Sequence, residues 1–202
     1  MISWPIQALI ATKKFDKVFV STDSPMISKV ATQFGATVLL RPDNLADDFT
    51  GTTAVLQNAI ETELGFLHDQ DWVYKVYPTC TLPSDAVRAF IEFTEHDSHR
   101  FSVSVGQFRS PVQRAMAMEA SGILTFSDKS SAMQRTQDLR PSYFDAGKIY
   151  GGPTRLWRTS ESPLTQSPRG FVLSEAASVD IDTEADWAVA EALHKRFPDT
   201  GR

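Results

Sequence analysis

Hydrophobic and polar positions along this chain switch repeatedly between the strand period and the helix period. Residues 17–21 (KVFVS) form a short β-branched run, which predicts a buried strand. The run stops at Thr22-Asp23-Ser24-Pro25, where Ser24 can cap a helix and Pro25 suits its first turn. Ile27, Val30, Ala31 and Phe34 then recur on one helical face, and Gly35 closes it. Residues 37–40 (TVLL) predict the next strand. Two strands joined by a helix predict a βαβ unit and a parallel sheet.

The alternation continues. Residues 41–52 (RPDNLADDFTGT) have turn chemistry and no period, and a helix is predicted over about 53–64. Residues 71–77 (DWVYKVY) predict a third strand, stopped by Pro78. Ser84 is positioned to cap a helix carrying Val87, Phe90 and Ile91, and residues 101–105 (FSVSV) predict a fourth strand. The middle changes character. Residues 113–118 and 123–126 flank Ala120-Ser121-Gly122 in the manner of a hairpin. This polar hairpin has too little apolar pattern to stand alone. With the polar stretch up to Pro141 it predicts an arm, over about 108–141, leaving the main body. Residues 148–150 and 171–173 predict further strands, and a last helix from near Thr183 is expected to pack Val189, Leu193 and Phe197.

Composition narrows the class. A length of 202 residues fits one α/β domain, here 1–202, with a protruding arm. Hydrophobic residues at 42% and charged residues at 22% exclude a disordered chain. A net charge of −5 with no Lys/Arg run excludes a nucleic-acid-binding surface. The single cysteine, Cys80, excludes an internal disulfide and any multi-cysteine zinc site, and fits a reducing compartment. No apolar stretch approaches the roughly 18 residues of a membrane helix, and the start lacks the basic head of a signal peptide. The expected location is cytoplasmic, with no membrane partner.

Candidate chemistry is sparse. There is no Gly-rich dinucleotide fingerprint, no Walker loop and no nucleophile elbow. His68, His96, His99 and His194 have no metal-ligand spacing. In Val179-Asp180-Ile181-Asp182 apolar and acidic residues alternate, so an extended backbone projects both carboxylates to one side. Two carboxylates held close suit a cation between them, and Mg²⁺ takes one or two carboxylates plus water and phosphate oxygens. The competing reading is that Asp182 or Thr183 caps the last helix, with Asp186 completing a capping box. Arg41-Pro42 and Tyr77-Pro78-Thr79 each follow a strand, where ligand crevices of parallel sheets lie. Arg135, Gln137, Asp138, Tyr143, Asp145 and Tyr150 form a polar, aromatic cluster. Such a cluster suits a polyhydroxylated acid, with Arg135 clamping a carboxylate, or is an ordinary solvated loop.

Taken in order, these segments carry a resemblance. They run Val20-Ser21-Thr22-Asp23-Ser24, Gly35-Ala36, Arg41-Pro42-x-x-Leu45-Ala46-x-Asp48 and Tyr77-Pro78-Thr79-Cys80. Arg135-x-Gln137-Asp138-Leu139 and Asp180-Ile181-Asp182-Thr183-x-x-Asp186-Trp187 complete the series. The series resembles the cytidylyltransferases that activate nonulosonic acids, the CMP-sialic acid synthetase family, over nearly the whole chain. Asp47-Asp48-Phe49-Thr50-Gly51-Thr52, Pro111-Val112-Gln113-Arg114-Ala115 and Asp145-Ala146-Gly147 lean towards its pseudaminic acid branch.

The resemblance implies a Rossmann-like three-layer α/β sandwich with a mostly parallel sheet and a β-hairpin dimerisation arm. It implies that Asp180 and Asp182 hold Mg²⁺ and serve catalysis. It places Arg41, Thr50, Gly51, Thr52, Pro78 and Thr79 around the nucleotide. Tyr77, Arg135, Gln137, Tyr143, Asp145 and Tyr150 fall on the sugar side. The implied reaction joins CTP and a nonulosonic acid into a CMP-sugar with release of pyrophosphate, in a homodimer, with no side-chain general base in evidence. CMP-sialate or CMP-legionaminate synthesis are neighbouring alternatives. One departure stands out: family members open with a strand and a phosphate-cradling loop of the Ala-Arg-x-Gly-Ser-Lys kind, and Met1-Ile2-Ser3-Trp4-Pro5-Ile6 resembles the helix after it. The chain is therefore expected to lack that first strand and loop. An inactive remnant that only binds nucleotide or sugar is the second reading, and a purely structural dimerisation module the third.

Overall fold

The β-branched runs and the helical faces become the layers of an α/β sandwich. The computed structural model describes residues 1–47, 49–131, 133–159 and 161–196. Asp48 and Phe197, both singled out from sequence, lie outside them. A first helix, α1 (Ser3–Thr12), leads into β1 (Phe19–Thr22), α2 (Pro25–Gln33) and β2 (Thr37–Leu40). The two strands pair in parallel, from Phe19 opposite Thr37 to Thr22 opposite Leu40. Ser24 caps α2 by accepting from the Ile27 N–H at 3.4 Å. Only part of the expected α2 face is covered. Ala31 is buried and Val30 and Phe34 half-buried, while Ile27 is 40% exposed, because the helix lies on just two strands.

The main sheet follows. It uses β3 (Trp72–Val76), β4 (Ser102–Gln107), β7 (Tyr143–Pro153) and β8 (Arg169–Val172), with β5 (Met116–Met118) and β6 (Leu124–Phe126) forming a separate hairpin. The spatial order is β3-β7-β4-β8. β7 is antiparallel to both neighbours and β8 is parallel to β4, so three strands share a direction and β7 runs against them. α1 and α4 (Ser84–Thr94) cover one face, where Leu9, Val87, Phe90 and Ile91 pack on Ile149 and Leu173. α3 (Thr52–Thr62) and the short α5 (Thr154–Trp157) cover the other, where Ile60 and Trp157 pack on Phe101, Val103 and Tyr150. Alternation along β3 sends Tyr74 and Val76 to the first face and Val73 and Tyr77 to the second, as a strand buried on both sides requires. The Trp157 indole N–H, buried with its ring, donates to the Val73 and Gly152 carbonyls at 3.0 and 3.1 Å.

Two departures from regularity matter for the site. The first is a bulge in β7. The register jumps from Val103 opposite Tyr150 to Val105 opposite Asp145. Gly147 takes φ +60° within it, and the Ile149 N–H donates to Ser104 Oγ at 3.0 Å instead of continuing the ladder. The second is a split in the sheet. Among the described residues β1 pairs only with β2, and β3 only with β7. α1 packs against both α2 and α4, and Val18 contributes to the cores of both pieces, so they share a layer without sharing a ladder.

Several sequence expectations need correction. Ser84 opens α4 as its first residue, with Pro83 at the cap position and no side-chain cap. The hairpin begins at Met116 because Pro111 enters a 3-10 turn over Val112–Arg114. It is also not polar: Met116, Met118, Ile123, Leu124 and Phe126 are all exposed. α6 (Glu184–Arg196) buries Ala190, but Val189 is 47% exposed and Leu193 half-buried, so this helix packs on its small side chains.

Candidate active site

The candidate residues gather where the parallel strands end and the β7 bulge begins. β3 delivers Tyr77 just past its last residue, and the Tyr77 N–H donates to the Lys148 carbonyl at 3.1 Å. β7 delivers Asp145 and Tyr150 from either side of the bulge. The Tyr150 hydroxyl donates to both oxygens of the Asp145 carboxylate, at 2.6 and 2.5 Å. Burial and then Asp145 push the Tyr150 phenol well above the ordinary tyrosine range, and the nearby Tyr77 and Asp180 add to it. Tyr150 is therefore a hydrogen-bond donor at neutral pH and not a base. The Tyr77 and Tyr150 rings lie 5.8 Å apart.

Across this cluster sits the acidic segment. Asp180 and Asp182 are exposed and alternate with half-buried Val179 and Ile181, as the pattern predicts, although the backbone is loop and not strand. Beneath them is Lys148, fully buried, with Nζ 3.9 Å from Asp180 Oδ1 and donating to the Thr79 carbonyl at 3.2 Å. Desolvation holds the Lys148 ammonium below the usual lysine range, while Asp180, Cys80 and Asp182 pull it back up. Both aspartates thus act on one buried cation. Gly147 makes the approach possible: a Cβ there would stand 2.7 Å from Asp180 Oδ2.

The capping question resolves locally. Asp186 Oδ2 accepts from the Thr183 N–H at 2.9 Å and from Thr183 Oγ1 at 2.7 Å, and the Asp186 N–H donates back to Thr183 Oγ1 at 3.3 Å. Thr183 and Asp186 form the box. The Asp182 carboxylate accepts no hydrogen bond among the described residues. No group of three or more His, Cys, Asp or Glu side chains comes together among them, so the described residues offer a cation two carboxylates at most.

The remaining candidates are distributed. Thr52 opens α3 and its hydroxyl lies 3.1 Å from the Tyr77 hydroxyl, which ties the start of α3 to the end of β3. Asp47 Oδ1 accepts from the Phe49 and Thr50 N–H groups at 2.8 and 2.6 Å, a turn that presents Thr50 and Gly51. Pro78 is exposed, and Thr79 contributes its carbonyl to Lys148. Arg41 folds back on β1, donating to the Ser21 carbonyl at 2.8 Å. Arg135 is paired with Asp138 at 2.9 Å, with both side chains largely exposed, and Gln137 lies in the same 3-10 turn. Tyr143 starts β7 and is 47% exposed. The structure brings Thr52, Tyr77, Thr79, Asp145, Tyr150 and Asp180 into one neighbourhood and shows no contact between them and Arg41 or Arg135. A separate cleft of about 270 Å³ at the ends of β4 and β8, lined by Arg109 and Glu175 among others, holds none of the candidates.

Two residues escaped the sequence reading. Lys148 and Lys75 each interrupt an apolar strand run, in GKIY and YKVY. A charge at a position whose neighbours are buried was the available signal, since lysine is almost never buried without a partner.

Comparison with known proteins decides the family. A family described as "Cytidylyltransferase" matches residues 1–139. The chain belongs to the cytidylyltransferase family. The pseudaminic acid cytidylyltransferase of Campylobacter jejuni is 32% identical, covering 96% of this chain and 85% of that enzyme. The CMP-N,N'-diacetyllegionaminic acid synthase of Legionella pneumophila is 26% identical over 96% of the chain and 84% of its own length. The N-acylneuraminate cytidylyltransferase of Escherichia coli is 21% identical over 97% of the chain and 46% of its own length. Among solved structures, a CMP:2-keto-3-deoxy-manno-octonic acid synthetase with CTP superposes with a TM-score of 0.59 at 13% identity, over 94% of this chain and 86% of that one. This likeness establishes the cytidylyltransferase fold, a Rossmann-like α/β sandwich. Among the described residues no helix is long and apolar enough to cross a membrane.

Proposed function

We propose that this cytidylyltransferase activates a nonulosonic acid, pseudaminic acid in preference, by joining it to CMP from CTP with release of pyrophosphate. The observation that carries this reading is the likeness, over nearly the whole chain, to enzymes named for pseudaminic acid. A relative named as a flagellin modification protein, 24% identical, supports a role in surface or flagellar glycosylation. A cytoplasmic setting agrees with the lone buried thiol of Cys80.

The chain's own residues suggest how. The sugar's anomeric hydroxyl attacks the α-phosphorus in line, and the protein's part is to position the reactants and balance charge. Tyr150, locked to Asp145, and Tyr77 form a wall for the sugar. Thr50, Gly51 and Thr52 face the nucleotide, and Arg41, Arg135, Gln137 and Tyr143 would join these groups on closure around substrates. Asp180 and Asp182 fit a divalent cation: both are exposed, and the Asp182 carboxylate accepts no hydrogen bond among the described residues. Mg²⁺ held there would neutralise phosphate charge. Among the described residues no side chain stands as a general base, so the hydroxyl proton leaves to solvent.

Exposed apolar side chains on both strands of the hairpin support a homodimer built through residues 108–141. The split between β1 and β3 supports the reading that a strand and phosphate loop of the family are missing from these 202 residues. A second reading is a chain that binds nucleotide or sugar without turning it over. Several charge-assisted bonds to the triphosphate, at about 1.5–3 kcal/mol each, would be lost with the loop.

The test is pyrophosphate release from CTP, pseudaminic acid and Mg²⁺, with CTP affinity measured by calorimetry on the same chain. Weak CTP binding with little release is expected of the 202 residues. Micromolar affinity would overturn the missing-loop reading. Asp182→Asn should abolish whatever turnover is measured, weaken Mn²⁺ binding followed by electron paramagnetic resonance, and leave the thermal midpoint unchanged. Unaltered Mn²⁺ binding would remove Asp182 from the metal role.

A further inference from the structure

Lys75 lies on β3 between Tyr74 and Val76, and opposite Tyr150 in the β3–β7 register. Its side chain shares a face with Tyr77, two residues on. Its ammonium sits 4.1 Å above the Tyr150 ring and 4.9 Å above the Tyr77 ring, and donates to Thr52 Oγ1 at 3.1 Å. An ammonium carries three N–H donors and Thr52 engages one. Among the described residues no carboxylate pairs with it. The two rings hold the cation in place by their π faces without neutralising it. Arg135, the residue that sequence alone favours for an acid group, already has its own carboxylate in Asp138. Among the described residues, then, the basic side chain against both tyrosines of the sugar wall is Lys75. It also stands at the start of α3, whose cap residue Gly51 supplies no side chain and whose first turn holds no acid, so the local field favours an anion.

We infer that Lys75 receives the carboxylate of the sugar acid and thereby selects acid over neutral sugars. The inference rests on the proposed nonulosonic acid function. The alternative source of an anion is the nucleotide phosphates, and the experiment separates the two. Pseudaminic acid and its methyl ester are titrated into the 202-residue chain by calorimetry, alongside CTP, for the unaltered protein and for Lys75→Met and Lys75→Arg. The acid should bind at least about tenfold more tightly than the ester. Lys75→Met should erase that preference while leaving ester and CTP binding as they were, and Lys75→Arg should restore part of it. The ester comparison needs no variant, so a misfolded mutant cannot hide the answer. Equal binding of acid and ester, no binding of the acid by the unaltered chain, or a Lys75→Met loss confined to CTP would each overturn the assignment. Pyrophosphate release measured separately reports on the proposed reaction: turnover with an unchanged preference in Lys75→Met leaves the reaction standing and removes Lys75 from it.

Discussion

The four-stranded sheet and the β5–β6 hairpin are built from the same kind of sequence, yet end in opposite environments. FSVSV and KIY in the sheet are covered on both faces, with Phe101, Val103, Ile149 and Tyr150 at 2% exposure or less. MAM and LTF in the hairpin are exposed at every residue. Apolar content does not separate them. Helices α1, α3, α4 and α5 are available to the sheet, and among the described residues none covers the hairpin. A run of apolar residues therefore specifies a strand, while burial depends on what the rest of the fold brings to it.

The largest blow to the sheet side should come from Phe90→Ala. Phe90 is fully buried and meets Tyr74 and Phe171 edge-on, so a loss of about 3–5 kcal/mol is expected in urea unfolding. A loss below about 1 kcal/mol would mean that this face is loosely packed. Cys80 probes the same core by pH. Burial pushes its thiol from 9.0 up to about 11, against the Leu82 N–H and Lys148. A group raised in the folded state stabilises fully below its unfolded value. Stability on the order of 2 kcal/mol should thus be present below pH 9 and be lost as pH rises from 9 through about 11. Cys80→Ala should flatten that part of the pH profile of chemical denaturation.

Gly147→Ala acts at the border between core and site. The positive φ alone costs about 1–2 kcal/mol, and the new methyl group would displace Asp180. Weakened Mn²⁺ binding with a modest drop in thermal midpoint is the expected pair of results. Intact Mn²⁺ binding would show that the carboxylate has room to shift. The smallest effect belongs to the hairpin. Met118→Ser should change unfolding stability of the monomer by less than about 0.5 kcal/mol. If the hairpin is the dimer contact, the same variant should lower the mass measured by light scattering.

Much of this architecture was legible in the residues. The βαβ unit over 19–40, the Ser24 cap and the hairpin follow from local signals, namely periodicity, a capping side chain and turn chemistry. What was not legible depends on pairing at a distance. Nothing in YFDAGKIYGGP says that β7 runs against its neighbours, because strand direction is set by the connections around it. Lys148 and Lys75 read as ordinary strand residues until the bulge at Gly147 and the two tyrosines give them their surroundings. Arg135 looked like a free clamp because Asp138, three residues on, can be a partner or a neighbour with equal ease in sequence. Tyr77, Asp145, Tyr150, Asp180 and Asp182 stood out by strand ends, clustering and alternation, the family resemblance gave them roles, and the structure adds the contacts that join most of them.

The split between β1 and β3 has a consequence for amide hydrogen exchange. Successive N–H groups of a strand point to opposite edges. Along β3, the amides directed at β7 are held in a ladder, and those directed at the open edge have no strand to bond among the described residues. Exchange rates read residue by residue should therefore alternate along Trp72–Val76, fast at Trp72, Tyr74 and Val76 and slow at Val73 and Lys75, inside an element that would otherwise exchange as one unit. The same alternation should run along β1, with protection only on the side of β2. Filling the gap with a strand would convert both stripes to uniform protection.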